Sequence, residues 1–148
     1  MTGGKERAMG TRSLTIFKED GAEICVMYRQ MDGYPAGHGN ELSGFLSNMR
    51  IVNGLSCEGD ESVANGMSCL AAQVVSYFKK GAGSFYLYPA ETRGAGEDYL
   101  YYISGKAGDK EPTIRVCESI GGYGDKPLEE KTLFEGLASD VMAWTDKQ

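Results

Sequence analysis

The sequence predicts an α+β fold, in which an antiparallel sheet of about five strands carries helices packed on one side. Two observations lead to this prediction. Segments that alternate between apolar and polar side chains occur as a pair near the start and as a group of three after residue 83. Segments with a helical apolar period lie between these groups and at the end. The resulting order, β-β-α-α-β-β-β-α, does not alternate, and such orders favour antiparallel sheets.

The first predicted element is a β-hairpin. Residues 13–18 and 23–29 alternate with the period of a strand, and the turn sequence Glu19-Asp20-Gly21 lies between them. Arg29 ends the second strand, on the face opposite Val26.

Two helices follow the hairpin. Apolar residues over 42–49 keep the i, i+3, i+4, i+7 spacing, and Asn40 is the predicted N-cap. Residues 51–60 contain turn sequences and are predicted to be a connection. Residues 67–78 form an apolar stripe over three turns, which predicts the second helix.

The second half is predicted as a meander and a final helix. Residues 84–88, 98–104 and 113–118 alternate as strands, and the turns between them are rich in glycine. Thr132 with Glu135 makes a capping box, and the apolar stripe that follows predicts a helix to the end of the chain. We therefore expect residues 1–12 to be a disordered tail, with Met9 as an alternative start, and residues 13–148 to form one domain.

Composition excludes several classes of function. The net charge is −6 and the pI is near 4.8, which argues against non-specific nucleic-acid binding. No apolar run approaches the roughly 18 to 20 residues that a membrane span needs, and no leader resembles a signal peptide. The four cysteines, Cys25, Cys57, Cys69 and Cys117, are not closely spaced. This favours buried free thiols in a reducing cytoplasm, with no metal site and no cofactor.

Residues 28–41 hold the densest set of reactive side chains. Gly37 and Gly39 precede a predicted helix N-terminus, where backbone amides and the helix dipole favour an anion, and Arg29 could clamp a phosphate. Asn40 begins that helix. The alternative is an ordered turn, in which Asp32 caps a backbone N–H and Tyr34 lies at the edge of the core.

His38 is the only histidine in the chain. Beside Asp32 it could act as a general base or a metal ligand. A single histidine with scattered carboxylates makes a poor metal site, and a solvent-exposed turn histidine is the expectation.

The tyrosine-rich strands suggest a second contact. Tyr86 and Tyr88 share one strand face and can stack on a base, while Arg93 and Arg115 can meet phosphates. The alternative is cross-strand aromatic packing on a half-buried sheet, or at a subunit interface.

The block Tyr28-Arg29-x-x-Asp32-Gly33-Tyr34-Pro35-x-Gly37-x-Gly39 resembles short phage and bacterial proteins of undescribed function. The likeness runs from about Leu14 to Cys117. In size, acidity and element order the chain also resembles the Thoeris anti-defence family of phage sponge proteins. That resemblance implies an oligomer that sequesters a cyclic ADP-ribose-type signal without cleaving it, and no binding residue is assigned from it.

Taken together, the sequence predicts a cytoplasmic homo-oligomer that binds an anionic nucleotide-like ligand without transforming it. The predicted binding residues are Arg29, Asp32, Tyr34, Gly37, His38, Gly39, Asn40, Tyr86, Tyr88, Arg93 and Arg115. One alternative is a protein-interaction module, an inhibitor or a virion component, that uses exposed tyrosines. Another is an enzyme that uses His38 with Asp32.

Overall fold

The computed structural model describes residues 10–54 and 58–148 and has the predicted α+β fold. The strands are β1 (Ser13–Glu19), β2 (Ala22–Arg29), β3 (Arg50–Val52), β4 (Val63–Asn65), β5 (Phe85–Pro89), β6 (Tyr99–Ser104), β7 (Thr113–Ile120) and β8 (Glu129–Leu137). The helices are α1 (Asn40–Leu46), α2 (Gly66–Phe78) and α3 (Val141–Thr145), with a π-helical turn at Pro35–Gly39 and a 3₁₀ turn at Ala138–Asp140.

Six strands form the main sheet, in the order β5-β2-β1-β6-β7-β8. All neighbours are antiparallel except β1 and β6, which are parallel. The predicted hairpin is β1 and β2. The predicted meander is wrong at its first step, because β5 pairs with β2 at one edge while β6 enters the centre beside β1. Strand β6 can take that position because its apolar residues pair with those of β1 across the middle of the sheet.

The predicted final helix is largely a strand. Residues 129–137 form β8, which pairs with β7 over its full length, and only Val141–Thr145 is α-helical. The strand is favoured because it buries part of Phe134 against the main core and completes the backbone hydrogen bonds of β7. Gly136 also disfavours a helix. The i, i+4 spacing of Leu133 and Leu137 is compatible with either structure.

Two other segments differ from expectation. The predicted connection contains β3, which pairs in parallel with β4, while residues 55–57, including Cys57, lie outside the described residues. Most of the predicted tail, residues 1–9, also lies outside them. Thr11 is buried, and the backbone N–H of Arg12 donates to Asp98, so these two residues already belong to the domain.

The sheet has two different faces. All three helices pack on one face and build the larger core with it, as predicted. The other face, which we call the helix-free face, carries a smaller cluster made only of strand residues, with Ala95 packed against it. This smaller cluster consists of Leu14, Ile16, Val26, Tyr28, Leu100, Tyr102 and Cys117. Cys25, Cys69 and Cys117 are free thiols, of which Cys117 is buried. No helix in the described part of the chain has both the length and the apolar character to cross a bilayer.

Candidate functional site

The predicted binding residues lie in three separate places. The block from Arg29 to Asn40 forms the turn after β2, on the helix side. Tyr86 and Tyr88 lie on the edge strand β5, and Arg115 and Arg93 lie over the helix-free face. The sheet spacing of about 4.8 Å puts Tyr88 roughly 14 Å from Tyr102, the ring that both arginines contact. A single pocket that joins all three places is therefore not formed.

In the turn after β2, the helix begins earlier than predicted. Tyr34 is extended, as a residue before proline should be, and Pro35 opens the π-helical turn that runs directly into α1. Asn40 is therefore inside the helical segment and is not an N-cap. Its Oδ1 instead accepts a hydrogen bond from Thr145 Oγ1 at 2.8 Å, which ties α1 to α3.

The glycines of this turn serve internal packing. A Cβ on Gly37 would lie 2.7 Å from the carbonyl oxygen of Asp32, and one on Gly39 would lie 3.4 Å from the Tyr101 ring. The amide of Gly37 donates to the Tyr34 carbonyl at 2.9 Å, and the amide of His38 donates to the Asp32 carbonyl at 3.0 Å. These two amides are satisfied within the protein, so they do not form the anion site that the sequence suggested.

His38 is completely buried, and the expectation of a solvent-exposed histidine is wrong. Its ring lies between Tyr101 and Phe78, at centroid distances of 4.9 and 5.1 Å. Burial, and next the charge of Arg29, hold the pKa of His38 well below its ordinary 6.5. Local sequence could not reveal this burial, because the walls of the site come from α2 and β6.

The hydrogen bonds of His38 fix its tautomer. Arg29 Nη1 is a permanent donor and lies 3.0 Å from Nδ1, so Nδ1 must accept. The proton of the neutral ring is then on Nε2, which donates to Thr15 Oγ1 at 2.7 Å. Because both ring nitrogens are hydrogen-bonded within the protein, His38 is not available as a general base. The Asp32 side chain, which was expected to act with it, is mostly exposed.

Arg29 is held by internal acceptors. Its Nε donates to the Met31 carbonyl at 2.6 Å, and its Nη1 makes a short ion pair with Glu41. A shallow cavity of about 330 Å³ lies beside it, and Asp32, Tyr34, Ala36, Gly37, Asn40 and Glu41 complete its lining. One cationic group and two carboxylates line this cavity, so its charge does not favour an anion.

Tyr86 and Tyr88 flank Tyr28 on the helix-free face, with ring centroids 6.0 and 6.1 Å from it. Both remain substantially exposed, 47% and 38% respectively. The cross-strand aromatic packing that the sequence offered as an alternative is therefore present, and the ammonium of Lys79 also lies 5.4 Å from the Tyr86 ring centroid.

Tyr102 is the centre of the cationic part of the helix-free face. The guanidinium of Arg115 lies 4.1 Å from its ring centroid. The guanidinium of Arg93 lies 5.7 Å from the same centroid, and the ammonium of Lys18 lies 5.8 Å from it. The phenol donates a short hydrogen bond to Glu130. Burial, and then this hydrogen bond, raise the pKa of Tyr102 to about 12.

Arg93 and Arg115 differ in their partners. Arg93 pairs with Glu23 at 2.6 Å and with Glu130 at 3.6 Å. Arg115 has no carboxylate within 4.0 Å among the described residues, and neither has Lys18. Within residues 10–54 and 58–148, Arg115 donates to the Cys117 thiol at 3.1 Å and to the Thr132 hydroxyl at 3.4 Å.

A cavity of about 210 Å³ opens beside Arg115. Its lining includes two cations, two hydroxyls and one carboxylate; these residues are Lys18, Arg115, Ser104, Thr113 and Glu135, together with Gly21, Tyr102 and Ile114. Lys18 and Tyr102 were not among the binding residues predicted from the sequence. The alternation of β1 puts Lys18 on the face of Ile16, but only the parallel pairing of β1 with β6 brings it to Tyr102.

The fold and these sites define an α+β protein with a Thr-His-Arg-Glu network on one side of its sheet, buried at Thr15 and His38 and exposed at Glu41, and a cation-aromatic cluster on the other side. Neither a protein-family model, nor a curated protein, nor a solved structure matches the chain. Among the described residues, no group of three His, Cys, Asp or Glu side chains is placed to hold a metal ion.

Proposed function

We propose that the protein binds a small phosphate-bearing anion at the cavity beside Arg115, without transforming it. The observation that carries this proposal is the half-buried Arg115 guanidinium, which has no carboxylate within 4.0 Å among the residues that the structure describes, although Glu135 lies opposite it in the β7-β8 register. Arg29 and Arg93, by contrast, are each neutralised by glutamates. Arginine presents five N–H donors, and the thiol and hydroxyl that Arg115 contacts are weak acceptors for them.

Lys18 and two hydroxyls support the same choice of ligand. Lys18 adds a second positive charge from the strand on the other side of Tyr102, where it also lies opposite Glu23 in the β1-β2 register, and Ser104 with Thr113 supplies hydroxyls in the same cavity. The carboxylate of Glu135 also lines it, so the charge of the lining is one positive unit. A cation pair with neutral donors is the arrangement that binds phosphate oxygens.

The size of the cavity limits what it holds. Pockets that enclose a whole small molecule measure about 300 to 1,000 Å³. At about 210 Å³, this cavity accommodates a phosphate group and leaves a nucleoside outside. We propose a nucleotide-type ligand, such as a cyclic nucleotide or cyclic ADP-ribose. The resemblance in size and acidity to the Thoeris anti-defence family of phage sponge proteins favours a role in capturing such a signal in the host cytoplasm.

Calorimetry with these nucleotides and with inorganic phosphate tests the proposal. We expect binding by the wild type and affinity at least 10-fold lower in Arg115→Gln, because a hydrogen bond to a charged group contributes about 1.5–3 kcal/mol. Lys18→Gln should weaken binding as well. Arg50→Gln removes an exposed arginine outside this cavity and is the matched control. Chromatography of the recovered ligand should return it unchanged.

Two outcomes would overturn this assignment. One is the absence of heat with every ligand at protein concentrations of about 100 μM or more, which would detect even a weak site. The other is an Arg115→Gln variant that binds as tightly as Arg50→Gln.

A protein-interaction role is the second candidate, and the exposed row Tyr86, Leu87 and Tyr88 favours it. Tyrosine is enriched in protein interfaces. A stoichiometric protein captured from host lysate by the wild type, and lost in Tyr86→Ser, would support this role over ligand binding.

A further inference from the structure

The outer edge of β5 has an unusual pattern of free backbone groups. Gln30 N–H donates to the Ser84 carbonyl at 2.9 Å, and the antiparallel register of β2 and β5 continues from this bond without a bulge. Hydrogen-bonded pairs alternate along such a ladder. Tyr86 and Tyr88 therefore direct their backbone groups toward β2, whereas Phe85, Leu87 and Pro89 direct theirs outward.

Most of these outward groups already have partners within the chain. The Phe85 N–H donates to the Gly83 carbonyl at 2.7 Å, and the Phe85 carbonyl accepts from Lys79 Nζ at 2.7 Å. Pro89 has no N–H, and its carbonyl accepts from the Thr92 hydroxyl at 2.8 Å. Leu87 alone on this strand presents both an N–H and a carbonyl at the open edge.

The side chains around this one free position are apolar and exposed. Leu87 is 60% exposed, and on the opposite face of the strand its neighbours Tyr86 and Tyr88 are exposed as well. Leu87 also borders a groove of about 550 Å³ between the sheet and α2. Lys79 and Pro89 protect the two ends of this edge, as is usual for natural edge strands, but Leu87 between them is apolar and keeps its backbone groups free, which indicates a covered position.

We propose that a second copy of this chain covers β5, with a two-fold axis that passes beside Leu87. In this antiparallel arrangement the Leu87 N–H of each copy donates to the Leu87 carbonyl of the other. Tyr86 then faces the partner's Tyr88 on the helix-free face, where aromatic pairs stabilise adjacent strands. The two Leu87 side chains meet on the helix face.

Self-complementarity selects a second copy over an unrelated strand. In the two-fold register, Phe85 lies opposite the partner's Pro89, which has no N–H to be satisfied, and the Phe85 carbonyl is already bonded to Lys79. A longer foreign strand would direct donors and acceptors at groups that are occupied. Lys79, bonded to Gly83 and Phe85, would also lie near the turn that holds the partner's Glu91, which gives opposite charges on both sides of the axis.

Light scattering after size exclusion tests the dimer directly. One chain has a mass of 16.0 kDa, so a dimer of two chains should have a mass of about 32 kDa. Leu87→Pro removes the one free N–H without breaking a bond to β2, and proline is tolerated at strand edges. We expect this variant to be monomeric with an unchanged far-UV circular dichroism spectrum. A wild type that stays monomeric at about 100 μM, or a Leu87→Pro variant that remains dimeric, would overturn the proposal.

A cysteine cross-link tests the position of the axis even if Leu87→Pro fails to fold. Directly opposed residues in a hydrogen-bonded pair have Cα atoms about 5.5 Å apart, within the range that a disulfide bridges. In a Cys25→Ser background, which removes the native thiol of the same groove, Leu87→Cys should therefore form a covalent dimer under mild oxidation. Tyr123→Cys, at a side chain that is 70% exposed, is the control and should not. Equal cross-linking of the two variants, or none in Leu87→Cys, would contradict this interface.

The proposed dimer and the proposed ligand site can be tested independently of each other. The interface depends on the edge of β5, and the proposed ligand cavity is lined by β1, β6, β7 and β8. Loss of ligand binding in Arg115→Gln with an unchanged mass, and loss of the dimer in Leu87→Pro with retained binding, would separate the two.

Discussion

Nη1 of Arg29 lies 3.0 Å from Nδ1 of His38, so a permanently charged side chain fixes the protonation of a buried imidazole. Because Nδ1 accepts from Arg29, Nε2 carries the proton and donates to Thr15. Glu41 neutralises Arg29 on its exposed side. The sequence block that looked most like a binding loop is therefore largely a structural network, which attaches the turn after β2 to the centre of the sheet.

This network predicts a pH dependence of stability. The folded state keeps His38 neutral, and the unfolded state binds a proton below pH 6.5, the ordinary pKa of histidine. The free energy of unfolding therefore keeps its full value above pH 6.5. It decreases as the pH falls below 6.5, by up to about 1.4 kcal/mol per pH unit. Urea unfolding from pH 8 to 5, followed by the fluorescence of the single tryptophan, Trp144, measures the slope.

The matched control for this slope is His38→Gln, which cannot titrate. We expect the variant to be less stable at pH 8 but to have a flatter stability profile between pH 6.5 and 5. Glu23, whose pKa lies below its ordinary 4.5 through the Arg93 hydrogen bond despite the opposing effect of burial, contributes only at lower pH. Equal slopes for the wild type and the variant would contradict the assignment to His38.

Replacing Ser13 with alanine is predicted to stabilise the folded protein. Its Oγ is completely buried and has no hydrogen-bond partner, and an unsatisfied hydroxyl costs about 1–3 kcal/mol. Ser13→Ala should therefore raise the free energy of unfolding by about 1 kcal/mol. Ser43→Ala is the control, because Ser43 Oγ is also buried but donates to the Ala138 carbonyl at 2.7 Å. That variant should lose about 1 kcal/mol. Losses of similar size in both variants would mean that Ser13 has a partner in solution.

Replacing glycine with alanine is predicted to have opposite effects on stability at Gly33 and at Gly44. A Cβ on Gly33 would lie 2.8 Å from the Arg12 carbonyl carbon and 2.8 Å from Ser13 Cβ, so Gly33→Ala should destabilise by about 1–3 kcal/mol. Gly44 lies in α1, where a Cβ meets nothing within 4 Å. Gly44→Ala should stabilise by about 0.5–1 kcal/mol. Chemical denaturation of both variants decides the matter, and a neutral Gly33→Ala would show that this backbone contact relaxes easily.

The elements that the sequence predicted well are those with a strong local signal. The β1-β2 hairpin and α2 follow from alternation, a turn and an apolar stripe, all of which act over short distances. Strand β8 was predicted as a helix because the spacing of Leu133 and Leu137 fits both structures. The choice between them depends on β7, which supplies the hydrogen bonds. The sequence alone did not determine which strand would lie beside which.

The same limit applies to the candidate site. Arg115 was identified from the alternation of β7, but its Tyr102 contact depends on the register that pairs these two residues. His38 was expected to be exposed because its neighbours in sequence are glycines. Its burial depends on Phe78 and Tyr101, which lie 40 and more residues away in the sequence. The predicted position of a side chain was correct where its place on a single strand was enough to orient it.

The parallel pairing of β1 with β6 has a consequence for synthesis of the chain. Ser13 pairs with Tyr99, so β1 is made 86 residues before its second neighbour. At the usual speed of a ribosome, about 5–20 residues per second, the emerging hairpin waits roughly 4 to 17 s with one side of a central strand unprotected. Mispairing with another nascent chain, and the need for a chaperone, should be greatest during that interval and should end once residue 103 has left the exit tunnel.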